Sequence, residues 1–270
     1  MEHPHPEYSN ILIVSEVKTN PWATDENARY NKELISFIAS RQTGKAILEA
    51  MRATGKKAVI VPFVPTESNP MNAESRADST SDATPKGQYA LTCGDNNQGK
   101  PVKELWYGLF PAKVKGSGAG SDIHIYFTPN MWKTPSKLSF RSAATGDGAD
   151  MLADEVLLHE MLHGYRQMTG RLLCTTEAMG DYDTFEEFFS IVIANIYTSE
   201  VDGKRAKLRA DHHGYSKLKN VKNFVKDNMQ GMRRINGENP ELVNRFGMQV
   251  LAEFNPFRDF LRQPVAANRG

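Results

Sequence analysis

The spacing of apolar positions changes several times along the chain, and each change marks an element. Ile11-Leu12-Ile13-Val14 is a short apolar run that reads as a strand. Beyond it, Thr24 and Asp25 can cap a helix running through Ile38, with Leu34, Ile35 and Ile38 at helical spacing. A second helix is expected over residues 45–54, closed by Gly55. Residues 59–64 read as a strand in which Pro62 marks an edge or an early end. Residues 105–110 and 123–127 read as two further strands, separated by the flexible stretch Gly116 to Gly120. The pattern then predicts a long helix over 150–168 and another over 185–197. From Val201 the tail is mostly helical, with a break at Asn239-Pro240.

Between these zones, residues 66–101 are dominated by Ser, Thr, Asn, Asp, Gly and Pro. A polar stretch this long reads as a loop insertion within a domain rather than as a linker between domains. The chain of 270 residues is therefore expected to form a single domain over 1–270, with the insertion at 66–101 and a basic, mainly helical region at 201–270. Strands and helices in this order predict an α+β fold.

Composition narrows the function. Lys and Arg number 33 against 32 Asp and Glu, a balance that argues against a generally basic nucleic-acid binder. No apolar run reaches the length of a membrane helix. Met1 to Asn10 is polar and holds two His-Pro pairs, so no secretory signal peptide is expected there, and His3 and His5 fall in a segment expected to be disordered. The two cysteines, Cys93 and Cys174, form neither a disulfide framework nor a Cys-rich zinc site by their spacing.

The chemistry is concentrated in Leu157-Leu158-His159-Glu160-Met161-Leu162-His163, a His-Glu-x-x-His motif inside an apolar-periodic helix. Residues at i and i+4 share a helical face, so His159 and His163 can offer imidazole nitrogens to one metal ion. Glu160, beside the first ligand, can take a proton from a metal-bound water as that water attacks a carbonyl. The bland alternative is a pair of hydrogen-bonded core histidines. The helical setting and a candidate third ligand downstream favour the metal.

A catalytic zinc needs three protein ligands and one open position. Downstream, Tyr182 to Asn195 is an apolar helix with two carboxylates near its start, and a charge there is costly unless it is paired or bound to metal. Glu187 has small Ser190 and Ala194 at i+3 and i+7, a low-bulk stripe that lets two helices approach, and it is the preferred ligand. Glu186 remains the competitor, its alternative role being a solvated first-turn acid that favours the helix dipole.

His-Glu-x-x-His followed by a glutamate on a second helix resembles the gluzincin metallopeptidases. Glu187-Phe188-Phe189-Ser190 is similar to the glutamate helix of anthrax lethal factor, where the corresponding Glu is the third zinc ligand. The broader likeness is to zinc-metallopeptidase toxins and effectors of bacterial secretion systems, including a domain fused to type VI secretion spike proteins and enteropathogen effectors that cut host kinases. Asp154 to His163, Tyr182 to Glu200 and Arg209 to Tyr215 carry it, about a seventh of the chain. The resemblance implies a zincin-like core: a backing helix, a small twisted mixed sheet, the metal helix and a glutamate helix. Strand 123–127 would be the edge strand on which an extended substrate could add. It also implies a zinc endopeptidase acting on a protein or peptide, delivered without a signal peptide by a specialised secretion machine, with a carrier and an immunity protein as partners.

The resemblance further suggests roles for Tyr182, upstream of the ligand glutamate as in lethal factor, and for one of His212 and His213, with His213 preferred, as donor or supporting groups. Asp154 and Glu155 could buttress an imidazole but read more simply as first-turn acids. Residues 204–234 hold ten Lys or Arg against two Asp, and a solvated face is the ordinary explanation. Two other functions compete: a zincin-like adaptor with a structural or vestigial metal, and a metal amidase acting on peptidoglycan peptides.

Overall fold

The computed structural model describes residues 1–18, 20–64, 73–92, 100–106, 110–129, 152–175, 182–212 and 216–263. Among them the chain forms an α+β fold. A five-stranded mixed sheet combines β1 (Glu2–Pro4), β2 (Ile11–Val14), β3 (Ala58–Val61), β4 (Glu74–Ala77) and β7 (Ile123–Tyr126) in the order β1-β2-β3-β7-β4. The three central strands β2, β3 and β7 are parallel, and β1 and β4 flank them antiparallel. Helices α1 (Asp25–Ala39) and α2 (Gln42–Ala53) fill the crossover from β2 to β3. As the sequence predicts, Thr24 caps α1 by accepting from the Asn27 N–H. Gly55 follows α2 at φ 70°, a left-handed conformation that costs glycine little.

Three readings change. The N-terminus is a strand, not a disordered tail: His3 Nε2 lies 2.8 Å from Ser15 Oγ, and His5 is buried with its ring nitrogen 3.2 Å from Ser36 Oγ. The run expected as one strand at 105–110 is divided between β5 (Lys103–Trp106) and β6 (Phe110–Lys113), which pair antiparallel. Strand β7 lies inside the sheet, because β4, drawn from the polar insertion, takes the edge beyond it. The same insertion supplies the short helix α3 (Thr80–Ala83). Cys174 is buried and disulfide-bonded, while Cys93 lies outside the described residues.

The core-facing side of the sheet, built from Ile11, Ile13, Ala58, Ile60, Ile123 and Ile125, joins one hydrophobic cluster that extends from Tyr8 to Phe257. Helix α4 (Ala153–Met168) crosses this sheet, and α5 (Phe185–Asp202) packs on α4. Gly164 permits the approach of α4 to the sheet: a Cβ there would fall 2.3 Å from Ile123 Cδ1. The loop at 116–120 is docked rather than loose. Gly120, at φ 76°, presses on the carbonyl of Met168 at the end of α4, where a Cβ would come within 2.0 Å. The tail adds α6 (Phe224–Asp227), α7 (Met229–Glu238), α8 (Pro240–Gln249) and α9 (Pro256–Leu261), with Pro240 opening α8 at the expected break. No helix among the described residues is long and apolar enough to cross a membrane.

Candidate metal centre

Helices α4 and α5 run antiparallel, and their cross-contacts fix the register. Tyr197 donates to Asp154 Oδ2 at 2.7 Å, Ser190 Oγ lies 3.4 Å from His163 Nδ1, and Arg166 Nε donates to Glu186 Oε2 at 2.7 Å. Asp154 and Glu155 thus tie the start of α4 to α5, Glu155 accepting from Thr198 at 2.6 Å. This register lowers the first turn of α5 onto the histidine face of α4. That turn is fixed by Thr184, whose hydroxyl accepts from the Glu187 N–H.

His159, His163 and Glu187 meet there. The two Nε2 atoms are 3.0 Å apart, and Glu187 sets Oε2 3.2 Å from His159 and Oε1 3.4 Å from His163. The three ligand atoms lie within 4.8 Å of one another. Two imidazole nitrogens facing each other beside a carboxylate form a donor set that repels itself unless a cation or proton sits among them, so the residues fit a metal ion.

The neighbouring glutamate goes elsewhere. Glu186 is fully buried against Arg166 and also accepts from the Leu173 N–H at 2.8 Å, leaving Glu187 as the carboxylate at the cluster. One residue along a helix rotates a side chain by about 100 degrees, enough to send the two carboxylates to different partners.

Burial and charge polarise the group. Burial lowers His159 to about 4, more than the Glu187 carboxylate can offset. Burial also works against a proton on His163, but Glu187 outweighs it and raises His163 to about 9. Burial would raise Glu187, yet the imidazoles of His163 and His159 hold it well below the usual carboxylate range. The charge of Glu187 thus favours a proton on His163 over one on His159. Glu160, buried on the adjacent position of α4, is pushed up to about 7, chiefly by burial; His163 and a backbone hydrogen bond from Ser75 oppose the rise, and the charges of Glu187 and Glu74 add to it.

Other expected residues fall as follows. Tyr182 is in the core, edge-on to Phe188 with centroids 5.2 Å apart. His213 lies outside the described residues, and its neighbour His212 is the one seen at the centre, with Nε2 3.4 Å from Glu187 Oε2 and Nδ1 2.8 Å from Asp183 Oδ2. Asp183, Asn195 and Arg209 were not singled out from sequence. An Asn in so apolar a helix was the available signal: buried Asn195 holds Arg209 through two backbone bonds of 2.8 Å. The expected substrate pairing on β7 does not stand, since β4 holds that edge. There Ser75 already gives its carbonyl to Gln167 Nε2 at 3.0 Å.

The fold and site thus define an α+β protein with a largely buried His-His-Glu cluster able to hold a metal ion, borne on two packed helices. The family model Peptidase_M91, described as an effector protein, matches residues 24–230, and the chain belongs to that family of peptidase effectors. The membership bears out the resemblance to effector peptidases drawn from the motifs. No curated protein matches the chain.

Proposed function

We propose that this protein is a zinc-dependent endopeptidase of the gluzincin type, an effector that cleaves a protein in the cell receiving it. The observation that carries the reading is the buried cluster of His159, His163 and Glu187 with Glu160 beside it on α4. The backing helix α1, the mixed sheet, α4 and the glutamate helix α5 would be the zincin-like core of a single catalytic domain. The family match supports the peptidase part. When bound, zinc supplies a Lewis acid for the scissile carbonyl and makes a water acidic. His159, His163 and Glu187 would hold the ion as its three protein ligands. Glu160, on the adjacent position of α4, would serve as the group that accepts a proton from the attacking water and returns it to the leaving amine. Delivery through a specialised secretion system, with a carrier and an immunity protein, belongs to the same proposal.

Metal analysis tests it. Protein purified without added metal is expected to carry about one zinc per chain, and Glu187→Ala to lose most of it. A wild-type protein that stays metal-free when zinc is offered would sink the reading.

A proton count is a second check. Because His163 is protonated below about 9 in the metal-free protein, zinc must displace that proton at pH 7. Affinity is then lost as pH falls, by roughly tenfold per unit between 9 and 7 for one displaced proton. Calorimetry in buffers of different ionisation enthalpy should count about one proton released per zinc. Binding without proton release would contradict the assignment.

A further inference from the structure

We propose that His212 is a positioning residue for Glu187, held by Asp183 and by a hairpin pinned to α5; the inference rests on the metal-site reading above. His212 lies 25 positions beyond Glu187, and a dedicated set of contacts returns it to the start of α5. The chain leaving α5 doubles back as a hairpin, in which the Ala210 N–H donates to Ser216 and the Leu218 N–H to Leu208, each at 2.8 Å. The Asn195 side chain acts as a strand partner for Arg209: its amide donates to the Arg209 carbonyl, and its oxygen accepts from the Arg209 N–H. The Arg209 guanidinium then donates to the His212 carbonyl at 2.7 Å. The backbone of Arg209 and the His212 carbonyl are thereby tied to the helix that also carries Glu187.

The ring itself lies between two carboxylates, with Nδ1 hydrogen-bonded to Asp183 Oδ2 at 2.8 Å and Nε2 within ion-pairing distance of Glu187 Oε2, at 3.4 Å. Asp183 is the one non-glycine residue at positive φ, 62°, among those described, and it immediately precedes the Thr184 cap of α5. Such a backbone is uncommon, and Asp and Asn are among the few residues that tolerate it. Here it turns the carboxylate toward His212.

His212 is assigned beside the ligand group rather than in it. Among the described residues only His159, His163 and Glu187 offer atoms mutually within 4.8 Å, and the His212 ring falls outside that group. It touches instead the Glu187 oxygen that meets His159. A glutamate carboxylate at the end of three rotatable bonds has considerable freedom to turn, so an imidazole beside Oε2 would bias which oxygen faces the ion. Partners that orient a ligand in this way typically change metal affinity by roughly 10- to 100-fold when removed.

The test measures zinc affinity by competition with a chromophoric chelator on the full-length chain. It compares the wild type with His212→Ala, His212→Gln and Asp183→Asn. Asn keeps the backbone tolerance at position 183 and removes the charge. His212→Ala is expected to weaken zinc roughly 10- to 100-fold and to alter the visible spectrum of the cobalt-substituted protein. His212→Gln, whose amide can reach the same oxygen, should recover part of the loss, and Asp183→Asn should weaken zinc by a smaller factor. If His212→Ala fails to fold, the Asp183→Asn arm decides. Variants that bind zinc as the wild type does, with an unchanged cobalt spectrum, would overturn the positioning role and leave the metal site standing. A wild type that binds no zinc would overturn both.

Discussion

Glu160→Gln is expected to abolish proteolysis while leaving the metal in place. The two side chains have nearly the same shape, and Glu160 is not in the group of three that would hold the ion. What the change removes is a proton acceptor. Burial keeps that acceptor poised near neutrality, and Ser75 of the edge strand steadies it. General-base contributions of this kind are worth roughly 10²- to 10⁴-fold in rate. Cleavage of a panel of folded and unfolded proteins, followed by mass analysis, provides the rate, and metal analysis of the same sample provides the stoichiometry. The expected pair is a loss of at least about a hundredfold in rate with about one zinc retained. A variant that cleaves at more than a tenth of the wild-type rate would remove Glu160 from the reaction.

The second large effect is on folding. Arg166, one turn beyond His163, is fully buried, with Nε on Glu186, Nη1 on Glu238 at 2.7 Å and Nη2 donating to the Arg171 carbonyl. Its guanidinium lies over the rings of Phe185 and Phe189, at 5.0 and 5.1 Å. One side chain therefore joins α4, α5 and α7. Arg166→Met keeps most of the volume but leaves the buried Glu186 without its cation. Breaking a buried pair from one side costs about 3 to 5 kcal/mol, which in a chain of this size lowers Tm by on the order of 10 °C. Glu186→Gln in the same background should restore part of the loss, because the orphaned charge is then gone. Thermal melts of the two variants and the double variant measure this. A single variant that melts within a degree or two of the wild type would show that the network contributes little.

Much of the site was legible because local rules produce it. The i, i+4 histidines follow from helical geometry, and the preference for Glu187 over Glu186 from the small residues at Ser190 and Ala194 that let α5 lie close to α4. The α+β pattern, and the break at Pro240, followed from period changes and from the missing N–H of proline. These features depend on near neighbours in the chain, and periodicity reports near neighbours.

What only the tertiary structure decided depends on residues far apart in sequence. Glu186 is a structural anion because Arg166 and Leu173 meet it, twenty and thirteen positions away, and no local pattern announces that pairing. Strand β4 takes the sheet edge because its backbone pairs with β7, although its sequence, Glu-Ser-Arg-Ala, carries no apolar alternation. His212 reaches Glu187 through a hairpin registered by Asn195, a hydrogen-bonding choice made between elements. The sequence by itself determined which side chains could hold a metal and on which helices they stand. The packing of α5 against α4 and of β4 against β7 decided which carboxylate meets the two histidines and what surrounds them, because contacts between distant segments depend on register and shape that one-dimensional periodicity does not encode.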